Sequence, residues 1–572
     1  MTRVLRSVLA ILLISPCASA QVIDRPGAPP RDTRPATGRS TIRGRVTSDG
    51  GQPVRRATVR VTAPELRVPR IMLTDADGRY EFGELPAGRY SINASKITFV
   101  SWSYGQSQPN IQARPLTLVD NQAANNIDIR LPRGGVIAGR ISDEFGEPVP
   151  DARVMLLRQQ FRLGQRTLTP AGNSATTNDI GEYRIFGQAP GQYYVSAILQ
   201  QGGVVAGPAA LTTGRLEGQE ARNGYAPTFY PGTADAGAAQ RVTVGFAQTL
   251  NEINIVLLAT RTATISGVAV DSQRNPLGGF VQLISRGGIN GLGGLGGALR
   301  PDGSFSIPNV PPGAYVLRAN SQPVRSASGA PIGPPEFSLA FVTVNGEDVT
   351  DVQLTHNVPV SIAGRVSFDD QSAAQSLKSS AVRVATLAST VGDAGIGVGS
   401  GGGQLSVNDD FTFDLKTTPG QMAIRALAPG WQVQAIRING RDVTDSDLDV
   451  GSQGLSGVEI EMTNRLQEIS GAVTDAEGNA VADYAVVIFA QDRSRWVAAF
   501  NRYAATSRPG ADGRFKVTTL PAGDYYAIAL DHSDAVEGQD PEFLESLTRL
   551  ASTVSLAPGD ARTLDLKLFT VQ

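Results

Sequence analysis

Apolar and polar residues alternate along this chain in short runs that are separated by glycine and proline. Within residues 74–94, Tyr80 and Phe82 alternate with charged residues, and a second alternating run follows the corner at Pro86 and Gly88. A period of two is that of a half-buried strand, and glycine favours tight turns because it adopts a positive φ at little cost. The stretch therefore predicts two short strands joined by a sharp corner.

This pattern occurs five times along the chain. The four other copies lie at residues 180–193, 302–315, 408–422 and 512–525. In the fourth copy, Asp409 is predicted to stand where the others keep the glycine of the turn, since aspartate is one of the few residues that tolerate a left-handed backbone. An isoleucine followed two positions later by glycine precedes every copy: Ile42 and Gly44, Ile137 and Gly139, Ile265 and Gly267, Ile362 and Gly364, and Ile469 and Gly471.

A repeat of roughly 100 residues predicts tandem domains instead of a solenoid, because each unit is long enough to have its own core. The predicted modules cover residues 41–132, 133–259, 260–356, 357–465 and 466–572. They are called modules one to five below.

The order of these motifs resembles the carboxypeptidase regulatory-like domain. That family is a small prealbumin-like, immunoglobulin-like β-sandwich, related in fold to starch-binding and Cna B-type modules. The resemblance extends over nearly all of the chain after about residue 41 and implies an all-β protein of about five tandem sandwiches. It implies no catalytic activity, because the family is named after an appendage of some metallocarboxypeptidases and not after their catalytic unit.

The longest insertion, residues 199–240 of module two, contains the candidate binding residues Tyr225, Phe229 and Tyr230. Two prolines lie among these rings and restrict the backbone. The rings could form a stacking platform for a sugar or a peptide. The preferred interpretation is the alternative, that they anchor the loop to its own sandwich.

Three other segments depart from the strand pattern. Residues 287–297 and 392–403 are rich in glycine and are expected to be flexible surface loops. Residues 495–503 are expected to add a strand whose aromatic side chains pack. One short helix is predicted near the C-terminus, with Asp540 as its N-cap, Pro541 at its first position and an apolar face: Phe543, Leu544, Leu547, Leu550 and Ala551.

Residues 1–20 are expected to be a secretory signal peptide. Two arginines precede a short apolar run, and Ala18 and Ala20 form a cleavage site of the A-x-A type. The alternative is a lipoprotein that is acylated on Cys17. Residues 21–40 are rich in proline, arginine and glycine, which predicts a flexible leader.

Composition excludes several classes of function. Cys17 is the only cysteine of the 572 residues, so the mature chain is expected to have no disulfide and no thiolate site. The net charge of −2 shows no basic footprint for nucleic acid. No later segment is apolar over the length of a membrane-spanning helix, so no transmembrane segment is expected in the mature chain.

No catalytic, metal or cofactor site is predicted. The two histidines, His356 and His532, are far apart and neither belongs to a metallopeptidase motif. Asp75 and Asp77 begin like a calcium loop, but Pro86 occupies the position of the bidentate glutamate, so a simple turn is the preferred interpretation.

These observations predict an exported, non-enzymatic protein that binds or spaces other components at the cell envelope. Its expected location is periplasmic, outer-surface or secreted, and its expected partner is an envelope protein or a polysaccharide. One alternative is a carbohydrate-binding protein, which the fold relation implies only by analogy. Another is an accessory subunit of an envelope enzyme or transporter.

Overall fold

The described part of the computed structural model contains one main hydrophobic core for each module, in chain order, and smaller clusters beside them. The structure describes residues 38–66, 68–106, 109, 113, 115–162, 165–199, 223–271, 274–285, 296–321, 337–356, 360–388, 404–417, 419–481, 483–496, 501–510, 512–531 and 537–570. The main cores draw their buried side chains from residues 42–131, 137–257, 263–354, 360–462 and 469–566. The predicted all-β class of tandem sandwiches is confirmed, whereas the predicted signal peptide and most of the leader lie outside the described residues.

Module one consists of two sheets that enclose its core. Strand β1 lies between β4, which is antiparallel to it, and the closing strands β8 and β9, which are parallel to it. The second sheet has the order β3-β2-β5-β6, with β7 also on β5. The strands are β1 Ser40–Ser48, β2 Thr58–Thr62, β3 Arg70–Leu73, β4 Arg79–Leu85, β5 Gly88–Ser95, β6 Trp102–Ser103, β7 Leu116–Leu118, β8 Ala123–Ala124 and β9 Ile129–Leu131.

Module two repeats this order and adds strands from its insertion. Strand β10 pairs with β13 on one side and with the closing strands β18 and β19 on the other, while β12, β11 and β14 form the second sheet. The strands are β10 Gly135–Ser142, β11 Arg153–Arg162, β12 Gln165–Thr176, β13 Glu182–Gln188, β14 Gly191–Ile198, β15 Asn223–Tyr225, β16 Thr228–Phe229, β17 Val242–Val244, β18 Thr249–Leu250, β19 Ile255–Val256 and β20 Ala259–Arg261.

In module three the strands join into one sheet of order β23-β22-β25-β26-β27-β21-β24. Strand β23 includes Gly296 and Gly297, so the end of the first glycine-rich segment is a strand and not the expected loop. The strands are β21 Ala263–Val270, β22 Gly279–Ser285, β23 Gly296–Ala298, β24 Ser304–Val310, β25 Gly313–Ser321, β26 Phe337–Val344 and β27 Val349–His356.

Module four returns to two sheets, β31-β28-β36-β33-β34 and β30-β29-β32-β35. Its elements include a short helix, α1, that the sequence did not predict and that Asp370 caps. They are β28 Val360–Phe368, α1 Gln371–Ala374, β29 Arg383–Ala388, β30 Gln404–Ser406, β31 Thr412–Thr417, β32 Gly420–Leu427, β33 Gln432–Ile438, β34 Arg441–Asp442, β35 Leu448–Val450 and β36 Leu455–Thr463.

Module five has sheets of order β41-β37-β44 and β38-β45-β42-β39-β40. Its elements are β37 Glu468–Gly471, β38 Val473–Thr474, β39 Ala485–Ala490, β40 Ala504–Ser507, β41 Phe515–Val517, β42 Gly523–Leu530, α2 Pro541–Leu547, β43 Ser552–Leu556, β44 Ala561–Thr563 and β45 Leu566–Phe569. Within residues 495–503, Trp496 and Tyr503 are packed as expected, but strand β40 begins only at Ala504 and residues 497–500 lie outside the described part.

Helix α2 confirms the predicted helix near the C-terminus. The side chain of Asp540 accepts a hydrogen bond from the backbone of Glu542, which satisfies a free N–H of the first turn. Leu544 and Leu547 are buried against module five, but Leu550 is exposed. The prediction for Leu550 was wrong because the helix ends at Leu547, whereas Ala551 still packs against the same cluster as Leu544 and Leu547.

The isoleucine–glycine motif requires glycine for the same structural reason in every module. A Cβ added to Gly44 would lie less than 3.0 Å from the carbonyl oxygen of Ile127, which also accepts a hydrogen bond of 2.5 Å from the Tyr80 hydroxyl. The same clash with a residue of the closing segment recurs at the four equivalent glycines: Gly139, Gly267, Gly364 and Gly471. Only glycine allows the first strand and the closing segment to approach this closely.

The turn before β4 is held by hydrogen bonds to the side chain of Asp75. Oδ1 of Asp75 accepts hydrogen bonds from the backbone N–H groups of Asp77 and Arg79, at 2.9 and 2.7 Å. Gly78 has a φ of 75°, the left-handed conformation that the tight turn requires. This geometry agrees with the preferred interpretation of the sequence.

In module four, the prediction that Asp409 replaces the turn glycine was wrong. Phe411 has the positive φ, at 60°, and Phe413 pairs with Gly364 as Tyr80 pairs with Gly44 in module one. A bulky residue with a positive φ is strained. The ring of Phe411 packs edge-on against Phe368 with centroids 5.0 Å apart, a contact that helps to hold this conformation.

Candidate functional site: the insertion of module two and the module junctions

Phe229 is fully buried on the outer side of module two. It pairs with Ser196 of β14, and its ring belongs to a satellite core that is separate from the main core of the module. The other buried members of this satellite core are Met155, Leu157, Leu168, Tyr194 and Ile198. Phe229 therefore holds the end of the insertion against the sandwich, which agrees with the anchoring alternative.

Tyr225 is half-buried in β15 and packs against the main core of module two. Its hydroxyl donates a hydrogen bond of 3.2 Å to Oε2 of Glu144. Burial and the nearby carboxylate of Glu144 raise the pKa of Tyr225 above its ordinary value. Tyr225 thus joins the insertion to the Asp143–Gly146 turn, which follows β10 in the same module.

Tyr230 is also half-buried and packs against the main core. Its backbone N–H donates to Val195, and its carbonyl accepts from Gln240. The structure therefore brings the three predicted rings onto one module but not onto one exposed face, because Phe229 is buried. A binding role of Tyr225 and Tyr230 stays a prediction.

Sequence patterns did not indicate that the same insertion also braces the connection to module three. Strand β15 pairs antiparallel with β20, in the segment that joins modules two and three. Oγ1 of Thr228 accepts a hydrogen bond of 3.1 Å from the backbone of Leu258. The sequence gives no sign of this contact, because the paired residues Tyr225 and Ala259 are 34 positions apart.

Residues of both modules contact Arg133, in the segment that connects modules one and two. Arg133 forms a bridge with Phe99 of module one, and its backbone N–H donates to Oδ2 of Asp49 at 3.2 Å. Its carbonyl accepts from Ala247 of module two at 3.0 Å. The rings of Trp102 and Phe246, one from each module, lie 6.5 Å apart.

An ionic contact braces modules four and five. Arg502 donates from Nε and Nη2 to the two carboxylate oxygens of Asp445, at 2.8 and 3.2 Å, and from Nη1 to the carbonyl of Val433 at 2.8 Å. The Tyr503 hydroxyl donates to the same carboxylate at 2.7 Å. Burial alone would lower the pKa of Arg502, but the hydrogen bond and the charge of Asp445 raise it, so the arginine stays charged.

The described residues offer no group of three histidine, cysteine, aspartate or glutamate side chains that could hold a metal ion. His532 and the side chain of His356 lie outside the described part. Among the helices of the described ranges, none is long and apolar enough to cross a membrane.

Comparison with known proteins finds one family. The model described as carboxypeptidase regulatory-like domain matches residues 41–132, and no curated protein matches the chain. Similar solved structures include the TIE protein of Bacillus anthracis, with 11% identity over 76% of this chain and 73% of that chain and a TM-score of 0.14. The minor pilin of Streptococcus agalactiae has 12% identity over 38% of this chain and 95% of that one, with a TM-score of 0.19.

The major pilin subunit of Bacillus cereus has 12% identity over 56% of this chain and 99% of that one, with a TM-score of 0.14. Structural similarity at this level supports no inference about function. The family match agrees with the resemblance that the motifs indicated. Residues 41–132 therefore match the carboxypeptidase regulatory-like domain, and the four modules that follow repeat the isoleucine–glycine motif of this segment and the pairing of its first strand.

Proposed function

We propose that this protein is an exported, non-enzymatic array that positions binding surfaces at the cell envelope. The observation that carries the proposal is the bracing of the junctions between modules one and two, two and three, and four and five. An array of binding modules on free linkers needs no such contacts, whereas a spacer of defined geometry does. The partner class is an envelope protein, with polysaccharide as the alternative.

Replacing Arg502 with alanine tests whether the fourth junction behaves as a brace. The change leaves Asp445, whose side chain is 36% exposed, without its charged partner, and charge-assisted hydrogen bonds of this kind contribute about 1.5–3 kcal/mol. We expect amide hydrogen exchange in residues 432–445 to become about tenfold faster or more, because each 1.4 kcal/mol corresponds to a factor of ten. Arg437→Ala, which removes an ion pair inside module four, is the matched control and should leave the junction unchanged.

Export is tested by the N-terminus of the protein recovered from its natural location. Cleavage after Ala20 leaves Gln21 as the first residue, and mass spectrometry of the intact protein measures this directly. A chain that begins with an acylated Cys17 would contradict the proposed cleavage and would anchor the protein to a membrane.

The binding function is tested by cross-linking in the envelope, followed by identification of what is captured. Reproducible capture of a protein by the intact mature chain supports the array. Retention of that chain on polysaccharide, with no captured protein, would favour the carbohydrate alternative.

A further inference from the structure

The hairpin formed by β11 and β12 of module two lies against the start of helix α2 in module five. Arg166 of β12 donates from Nη1 to Oε1 of Glu542 at 2.5 Å and from Nη2 to Oδ1 of Asp540 at 3.0 Å. The residues of this contact are more than 370 positions apart in the chain. A contact between the second and fifth modules was not expected from a linear string of sandwiches.

The contact has a backbone part as well as an ionic part. The 3-10 turn Glu537–Gln539, directly before α2, lies between β11 of module two and β40 of module five. A Cβ added to Gly538 would clash with the side chain of Thr506 in β40, so this turn lies close against module five. The turn therefore lies close to both modules.

Charge is complementary across the contact. Asp540 and Glu542 stand at the N-terminus of α2, and Arg166 faces both carboxylates with its own side chain 34% exposed. Arg241 of module two, held by hydrogen bonds to Tyr194 and Gln159, adds positive charge on the same side. The hydrogen bond from Arg166 lowers the pKa of Glu542, and the charge of Arg241 acts in the same direction.

The strand that carries Arg166 is fixed to module two by buried side chains. Leu168, two residues after Arg166 on β12, is buried in the satellite core with Phe229. On the acidic side, Leu544 and Leu547 of α2 are buried in module five. Neither partner therefore has to become ordered for the contact to form, which lowers its entropic cost.

We propose that the hairpin of β11 and β12 is a docking surface whose occupant is the N-terminal turn of α2 in the same chain, so that the five modules close on themselves through a salt-sensitive contact. Because both partners belong to one chain, their effective concentration reaches the millimolar range when the connecting geometry allows contact, and a small interface is then sufficient. The ionic part is screened by salt, since the Debye length falls from about 10 Å at 0.1 M to about 3 Å at 1 M.

The test measures the distance between modules two and five in the full-length mature protein. Cysteines introduced at Glu182 and Thr563, both exposed, carry a donor and an acceptor dye for single-molecule energy transfer. We expect one high-transfer population at 0.1 M salt and a shift toward low transfer at 1 M salt. Arg166→Glu should produce the low-transfer population already at 0.1 M salt, together with a larger radius of gyration in small-angle scattering.

Two further variants distinguish the ion pair from other causes. Arg43→Glu breaks an ion pair of 2.7 Å inside module one and should leave the energy transfer unchanged. Arg166→Glu combined with Glu542→Arg re-creates an ion pair in reverse and should recover part of the high-transfer population, although Asp540 still opposes Glu at position 166. Circular dichroism of each variant checks that the modules remain folded.

Several outcomes would overturn the proposal. Unchanged transfer in Arg166→Glu and at 1 M salt would show that the contact does not hold the modules together. If Arg166→Glu combined with Glu542→Arg gives the same low energy transfer as Arg166→Glu alone, the ion pair is not what holds the modules together. Energy transfer between two singly labelled molecules would show that the occupant is α2 of a second copy. None of these outcomes bears on the braced junctions, which are tested separately through Arg502.

Discussion

Phe229→Ala is expected to destabilise module two by about 3–5 kcal/mol. The ring is fully buried in the satellite core, and removing a buried aromatic side chain loses its transfer free energy and leaves a cavity. Because Phe229 fixes the end of the insertion, the pairing of β15 with β20 should also weaken. Calorimetry of the intact protein should show the transition of one module at lower temperature, and hydrogen exchange should assign it to module two.

Phe145 provides the matched control within the same module. Its side chain is 82% exposed, so Phe145→Ala should change stability by no more than about 0.5 kcal/mol. Equal melting temperatures for Phe229→Ala and the unchanged protein would contradict the anchoring role. In that case the ring would have to be accessible, as the platform hypothesis requires.

Gly44→Ala is expected to destabilise module one by about 3 kcal/mol, the upper end of the usual range for overpacking. The new Cβ would collide with the backbone carbonyl of Ile127, which cannot rotate away as a flexible side chain can. The clash forces β1 and the closing segment apart, so the hydrogen bond from Tyr80 to Ile127 should lengthen as well. Hydrogen exchange in residues 40–48 and 127–131 measures the loss.

The control for this change is Gly83→Ala, in β4 of the same module. A Cβ on Gly83 would meet no atom within 4 Å, and the backbone there does not require glycine. We expect that variant to be as stable as the unchanged protein or slightly more so, because alanine reduces the conformational entropy of the unfolded chain. A similar loss in both variants would refute the steric explanation of the motif.

The strand pattern and the turns could be predicted from the sequence because both are local. A period of two identifies buried positions such as Tyr80 and Phe82, and the turn at Asp75 depends only on residues within four positions. The steric requirement for glycine at position 44 could not be predicted in this way, because the carbonyl that a Cβ would meet belongs to Ile127, 83 positions away. Periodicity marks a strand but does not say which backbone approaches it.

The surroundings of Phe229 and Phe411 could not be derived from the sequence for the same reason. Phe229, between two prolines, has the local sequence of an exposed platform, yet β16 pairs with the edge of β14 and turns this ring into the satellite core. The position of Phe411 was missed because glycine normally supplies a positive φ, and an aromatic residue in that conformation depends on the neighbouring ring of Phe368. Both features depend on contacts that only the folded chain creates.

The parallel pairing of the first strand with the closing strand has a mechanical consequence. Because β1 and β9 run in the same direction, the chain enters module one at one end of the sandwich and leaves it at the other. Nine residues of β1 at about 3.3 Å each separate these ends by roughly 30 Å. Tension applied along the chain therefore loads the hydrogen bonds between β1 and β9 in shear, so that they share the force and must break together instead of opening one by one.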